Sequence, residues 1–209
     1  MAEASRATVL VLASTYPRWA DDTEPGFVHE LCRRLASDFN VIVLCPHAPG
    51  ALEREVMDSV EINRYRYAPS RWERLVNDGG IVTNLRLHRW MALLVPSFVL
   101  MQAWHSWRLS RSRQIDIIHA HWLVPQGLIA ALLSMLPGRA TRYVVTSHGA
   151  DLYALRGKAL DAVKRFVVRH SQSTSVVSSA MKQKLQQVGA EPSKVSVLPM
   201  GVDLGSRFT

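Results

Sequence analysis

Three of the eight histidines stand in two short segments, one spanning the end of an apolar run and one directly after such a run. Residues 116–122 hold His119 and His121, and residues 146–153 hold His148, Gly149 and Asp151. An imidazole near neutral pH can donate or accept a hydrogen bond and can stabilise developing charge. His148 is therefore the candidate catalytic group. Gly149 leaves space for a ligand to approach the backbone, and Asp151 is placed to orient the ring or to hold a ligand hydroxyl. The plain alternative for His148 is a satisfied loop histidine, but polar residues crowd this point of the chain. His119 and His121 alternate along their run and are expected to point to opposite faces, which argues against a shared metal. One of them can equally be a hydrogen-bonded core histidine.

Two more segments offer binding groups. Residues 16–26 are a polar loop ending in Glu24, Pro25 and Gly26, just before a helical pattern. A helix starting at Gly26 would present free N–H groups and its positive dipole end to a phosphate oxygen. Pro25 and Gly26 could also be mere helix-start punctuation. The loop contains neither a Gly-x-Gly-x-x-Gly pattern nor a phosphate-loop lysine. Ser178 stands where an apolar run passes into a helical pattern, so it is a helix N-cap first and a substrate contact second. The substrate-binding candidates are thus Gly26, Glu24, His121, Gly149, Asp151 and Ser178, and no segment suggests a dedicated metal site.

These residues must be positioned by alternating strands and helices. Near-continuous apolar runs at 8–14 and 41–45 read as strands buried on both faces of a parallel sheet. Between them Phe27, Val28, Leu31, Cys32, Leu35, Ala36 and Phe39 share one helical face. Residues 55–67 read as one or two short strands. A helical pattern covers 84–113, with a break or kink expected at Pro96. The rhythm then continues with strands at 115–119, 143–147, 173–177 and 194–198, and helices at 126–136, 158–170 and 179–188. Such alternation predicts an α/β fold with a Rossmann-like, doubly wound, mostly parallel sheet flanked by helices. Ligands in such folds sit outside the carboxyl ends of the strands, where all four segments fall.

Composition is compatible with this. Of 209 residues, 48% are hydrophobic and 20% charged, an ordinary globular balance. Cys32 and Cys45 sit in apolar segments, which suits a reducing, cytoplasmic setting. The run 9–13 reads as a buried strand rather than an export signal, and the apolar stretch 91–101 is too short to span a bilayer. A net charge of +8 calls for an anionic partner, or simply keeps the surface soluble. The arginines follow no recognisable nucleic-acid motif, so nucleic acid is not expected as a partner. Trp72, Trp90, Trp104 and Trp107 are interleaved with Arg71, Arg74, Arg86, Arg89, Arg108, Arg111 and Arg113. Either this segment meets an anionic membrane surface, making the protein peripheral on the cytoplasmic face, or it is a core helix with an arginine-rich solvated side.

Taken in order, five segments resemble the N-terminal domain of family-four retaining GT-B glycosyltransferases. They are Pro25-Gly26; Asp116 to His121; Thr146 to Asp151; Val177 to Met181; and Val197 to Asp203. Met200 stands where the family has asparagine, Pro25 stands where many members have glycine, and residues 50–112 carry no match. The resemblance implies one half of a GT-B fold, with residues 1–203 as the acceptor-side domain. Residues 204–209 would begin the linker to a C-terminal donor-binding domain absent from this chain. It further implies a nucleotide-diphosphate sugar donor, a glycan or lipid-linked acceptor, retention of configuration, and no cofactor or essential metal. Gly26 would lie near the donor phosphates and His148 near the transferred sugar. The full-length protein would then be a hexosyltransferase-like enzyme and this chain alone would be inactive. A non-catalytic Rossmann-like interaction domain needing a partner subunit is the alternative.

Overall fold

A computed structural model describes residues 6–20, 22, 24, 26–137 and 141–201. Pro25, Val202, Asp203 and the expected linker at 204–209 lie outside the described residues. In chain order the elements are β1 (Thr8–Leu12), α1 (Phe27–Leu35), β2 (Asn40–Pro46), β3 (Arg54–Met57), β4 (Val60–Tyr65), α2 (Gly80–Leu87) and α3 (Val95–Ser112). There follow β5 (Ile117–His121), α4 (Leu128–Ser134), β6 (Arg142–Ser147), α5 (Ala150–Tyr153), α6 (Lys158–His170), β7 (Ser173–Val176), α7 (Ser179–Gln187) and β8 (Val195–Val197). A 3₁₀ segment, Arg89–Leu94, joins α2 to α3.

The eight strands form one sheet in the order β3-β4-β2-β1-β5-β6-β7-β8. Every pairing is parallel except β3 with β4. The chain winds outward from β1 through β2 to β4, then returns to start β5 on the other side of β1. The order therefore reverses between β1 and β5, and this switch point opens a crevice at the strands' carboxyl ends.

Alternate residues of the strands feed two cores. Val9, Val11, Val41, Val43 and Cys45 pack under Val28 and Cys32 of α1 on one face. Leu10, Leu12, Ile42, Leu44, Ile118 and Val145 meet the helices of the other face, including Phe98 of α3 and Val167 of α6. This two-sided burial is why the strands read as continuous apolar runs. Both cysteines are buried free thiols, and burial pushes each pKa up to about 12, so neither is a ready nucleophile.

Several expected boundaries move. Residues 55–67 resolve into an antiparallel hairpin whose turn places Asp58 and Ser59 at φ +50° and +65°, the positive φ pair of a tight hairpin turn. The helical break is at His88, in extended backbone, rather than at Pro96. Pro96 instead lies in the first turn of α3, where its missing N–H leaves no bond unmade. The helix expected at 126–136 begins at Leu128, after a tight turn over Leu123–Gly127.

Candidate functional site

The site is built from the loops that leave β1, β5 and β6. Asp151 ties two of them together. The Leu123 N–H donates to Asp151 Oδ2 at 2.7 Å, while Ser147 Oγ and the Gly149 N–H donate to Oδ1 at 2.9 and 3.2 Å. The carboxyl is buried, and burial raises its pKa against the pull of these donors. The structure thus corrects the expected role of Asp151. Its oxygens hold two backbone N–H groups and the Ser147 hydroxyl, neither the imidazole nor an open position for a sugar hydroxyl. Gly149 has φ +106° and is the residue that lets the chain turn here.

The loops held by Asp151 bring His121 and His148 together. His121 Nδ1 and His148 Nε2 are 2.9 Å apart, with one nitrogen donating to the other. His148 is half-buried between the rings of Phe27 and Trp122, at centroid distances of 4.8 and 5.0 Å. Trp122 occupies φ +78°, an unfavourable conformation for a large side chain, and it directs its ring onto this pair. His148 Nδ1 makes no hydrogen bond among the described residues.

His119 and His121 do not point to opposite faces. Residues two apart on a strand share a face, and the two rings lie 4.3 Å apart, centroid to centroid. His119 Nε2 hydrogen-bonds Thr146 Oγ1 at 2.8 Å, which in turn bonds Ser175 Oγ at 2.7 Å, giving a polar chain across β5, β6 and β7. No group of three metal-ligating side chains occurs among the described residues. Burial pushes the His119 and His148 pKa values down to about 4, and His148 feels the His119 charge as well. The fully buried His121 is also pushed well below its ordinary value, first by burial and then by its two histidine neighbours. The cluster is therefore neutral at physiological pH and can hydrogen-bond without carrying charge. His121 Nε2 is buried with no hydrogen-bond partner among the described residues.

The third wall is the start of α1. Gly26 is its N-cap and no side chain among the described residues caps the helix, so first-turn N–H groups beside Phe27 are left uncapped by them. Glu24, expected as a substrate contact, is instead buried, and its Oε1 accepts the Asp78 N–H at 2.5 Å. It joins the β1 loop to the loop preceding α2. Ser178 is the N-cap of α7, its hydroxyl accepting the Met181 N–H at 3.3 Å. A cleft of about 510 Å³ opens next to the site, between α1 and the strand face bearing His119, Thr146 and Ser175. Sequence reasoning missed Phe27, Trp122 and Thr146 as site residues. All three stood inside or beside the segments singled out.

The family model described as Glycosyltransferase Family 4 matches residues 27–206. The chain belongs to glycosyltransferase family 4. TuaC of Bacillus subtilis (strain 168), named for teichuronic acid biosynthesis, is 36% identical over 95 residues, covering 44% of this chain and 23% of TuaC. The N-acetyl-alpha-D-glucosaminyl L-malate synthase of Bacillus anthracis is 25% identical over 100 residues, 47% of this chain and 26% of that protein. The fold is similar to Anabaena HepE solved with UDP-glucose, at TM-score 0.60 and 14% identity over 94% of this chain and 44% of HepE. It is also similar to the catalytic domain of Arabidopsis thaliana starch synthase IV bound to ADP and acarbose, at TM-score 0.61 and 12% identity, covering 97% and 53%. The matched regions span about a quarter of the curated relatives and about half of these solved chains. The doubly wound sheet is that of one half of a GT-B fold, as the family-four resemblance implied, and the alternative of a non-catalytic module is not the one favoured.

Proposed function

We propose that this family-four domain forms the acceptor-side wall of a site that moves a sugar from a nucleotide-diphosphate donor to a hydroxyl acceptor with retention at the anomeric carbon. The observation that carries the proposal is His148, held neutral at the switch point with Nδ1 unpaired. A neutral imidazole there hydrogen-bonds a hydroxyl of the transferred sugar without repelling the positive charge that develops on its ring. The bond from the anomeric carbon to the diphosphate oxygen breaks, the acceptor oxygen bonds to that carbon, and the acceptor's hydroxyl proton passes to the departing diphosphate oxygen. The uncapped start of α1 at Gly26 faces donor phosphate oxygens, adding the positive end of its dipole. The diphosphate is gripped mainly by a second Rossmann-like domain, so residues 1–203 act as one half of the enzyme. His121 and Gly149 shape the sugar pocket around His148.

The acceptor in this reading is a glycan or a lipid-linked saccharide on the cytoplasmic side, and neither a cofactor nor an essential metal takes part. The test uses the full-length protein, a panel of nucleotide sugars beginning with UDP-glucose, and NMR of the product. An α-donor should give an α-linked product, with turnover surviving chelation of divalent metals. A β-linked product overturns retention, and loss of turnover on chelation overturns the metal-free step. Turnover by residues 1–209 alone contradicts the two-domain reading.

A further inference from the structure

α3 packs Val95, Val99, Met101, Ala103 and Leu109 partly buried on the core, yet it also buries polar side chains and leaves large apolar ones outside. The side chains it buries are Phe98, Gln102 and Ser106, two of them polar. Both are satisfied inside: Gln102 Nε2 donates to the Ala13 carbonyl at 3.2 Å, Gln126 Nε2 donates to Gln102 Oε1 at 3.1 Å, and Ser106 Oγ donates to the Gln102 carbonyl at 2.7 Å. Its outward stripe is apolar. Leu100, Trp104 and Trp107 recur at helical spacing and are 67%, 51% and 37% exposed, and Leu93 and Trp90 of the preceding segment extend the patch at 81% and 49%. The Trp104 and Trp107 rings lie 5.0 Å apart on that surface. Large apolar side chains gathered this way mark an interaction surface, whereas singly scattered ones do not.

The charge around the stripe identifies its occupant. Residues 79–115 include Arg86, Arg89, Arg108 and Arg111 and contain no aspartate or glutamate. These four arginines are exposed, and none pairs with a carboxylate among the described residues. No helix among the described residues is long and apolar enough to cross a membrane. An apolar stripe carrying tryptophan, rimmed by arginine and lying along a helix that does not span, suits the boundary between anionic headgroups and acyl chains. We propose that the outer face of α3 and the 3₁₀ segment before it docks on an anionic phospholipid surface by shallow insertion of Leu93, Leu100, Trp104 and Trp107. Docking brings the switch-point crevice close to the lipid. Ser97 Oγ bonds the Tyr67 carbonyl just after β4, and Gln102 reaches the carbonyl just after β1, so the first half of α3 stands at the sheet edge that carries the site.

The proposal goes beyond the sugar-transfer reading and does not depend on it, because a soluble donor assay tests that reading separately. The full-length protein is floated with vesicles of phosphatidylglycerol and phosphatidylcholine at low salt, against phosphatidylcholine alone, and tryptophan quenching by brominated acyl chains is measured. Expected are binding to the anionic vesicles, quenching, and a loss of about tenfold or more in affinity for W104S/W107S with the melting temperature shifted by no more than about 4 °C. The R108Q/R111Q variant provides an independent reading and should weaken binding to anionic vesicles only. Three results overturn the proposal: no binding at low salt, binding that W104S/W107S leaves intact, or a self-associated species dispersed by W104S/W107S in a protein that ignores vesicles.

Discussion

The carboxyl edge at β5 and β6 and the outer face of α3 break the usual inside–outside rule in opposite directions. At the edge, three imidazoles are drawn out of water and made neutral; on α3, leucines and tryptophans are left in it. Burying polar groups is costly unless they are paired, and here Thr146, Ser175 and Asp151 organise most of the pairing. The exposed stripe has no such internal answer. Buried polar groups and exposed apolar ones are the informative deviations in a globular chain. In this molecule the first is where we propose chemistry and the second where we propose contact.

If the edge depends on its internal bonding, the largest stability loss should come from Asp151→Ala. Removing that carboxylate leaves the Leu123 and Gly149 N–H groups and the Ser147 hydroxyl without their acceptor, at a cost of about 3 kcal/mol. Denaturant unfolding measures it, and a cost near zero would mean the loops are held otherwise.

Neutral imidazoles also make the edge sensitive to acid. His119 and His148 titrate at about 4 when folded and near 6.5 when unfolded. Between those values the unfolded chain binds more protons, so stability rises with pH through the window and is lost as pH falls from 6.5 towards 4. Each histidine contributes up to about 1.4 kcal/mol per pH unit there. Melting temperatures across the window should show this slope, and His119→Asn should flatten it while lowering stability at neutral pH. A flat profile for the unaltered protein would place the rings in water.

The smallest effect belongs to the other region. Trp104→Ser with Trp107→Ser should change folding stability by no more than about 0.5 kcal/mol each, since both rings are half-exposed. A large destabilisation would show that the stripe belongs to the core, erasing the contrast between the two regions.

Much of the scaffold was legible because buried strands and amphipathic helices leave one-dimensional patterns. The helix at 158–170 has the expected bounds because its apolar spacing is regular and Gly157 precedes it. The break at His88 was not legible, since a proline draws attention to itself while extended backbone does not. The shared face of His119 and His121 was present in their spacing, and the expectation of opposite faces misjudged a two-residue step. The role of Asp151 was hidden for a different reason: its key donor, the Leu123 N–H, is 28 residues away. So was the wedging of His148 between Phe27 and Trp122, which needs the whole switch point assembled. Periodicity grouped the tryptophans with the arginines of 71–113 but could not say which side of α3 turns inward. Gln102 and Ser106 decide that.

The central claim is that neutral His148 acts on the transferred sugar. In the full-length protein His148→Ala should lower kcat by about a hundredfold or more with KM for the donor little changed and the fold intact. A kcat within a fewfold of the unaltered enzyme would contradict it and reduce His148 to a satisfied loop residue.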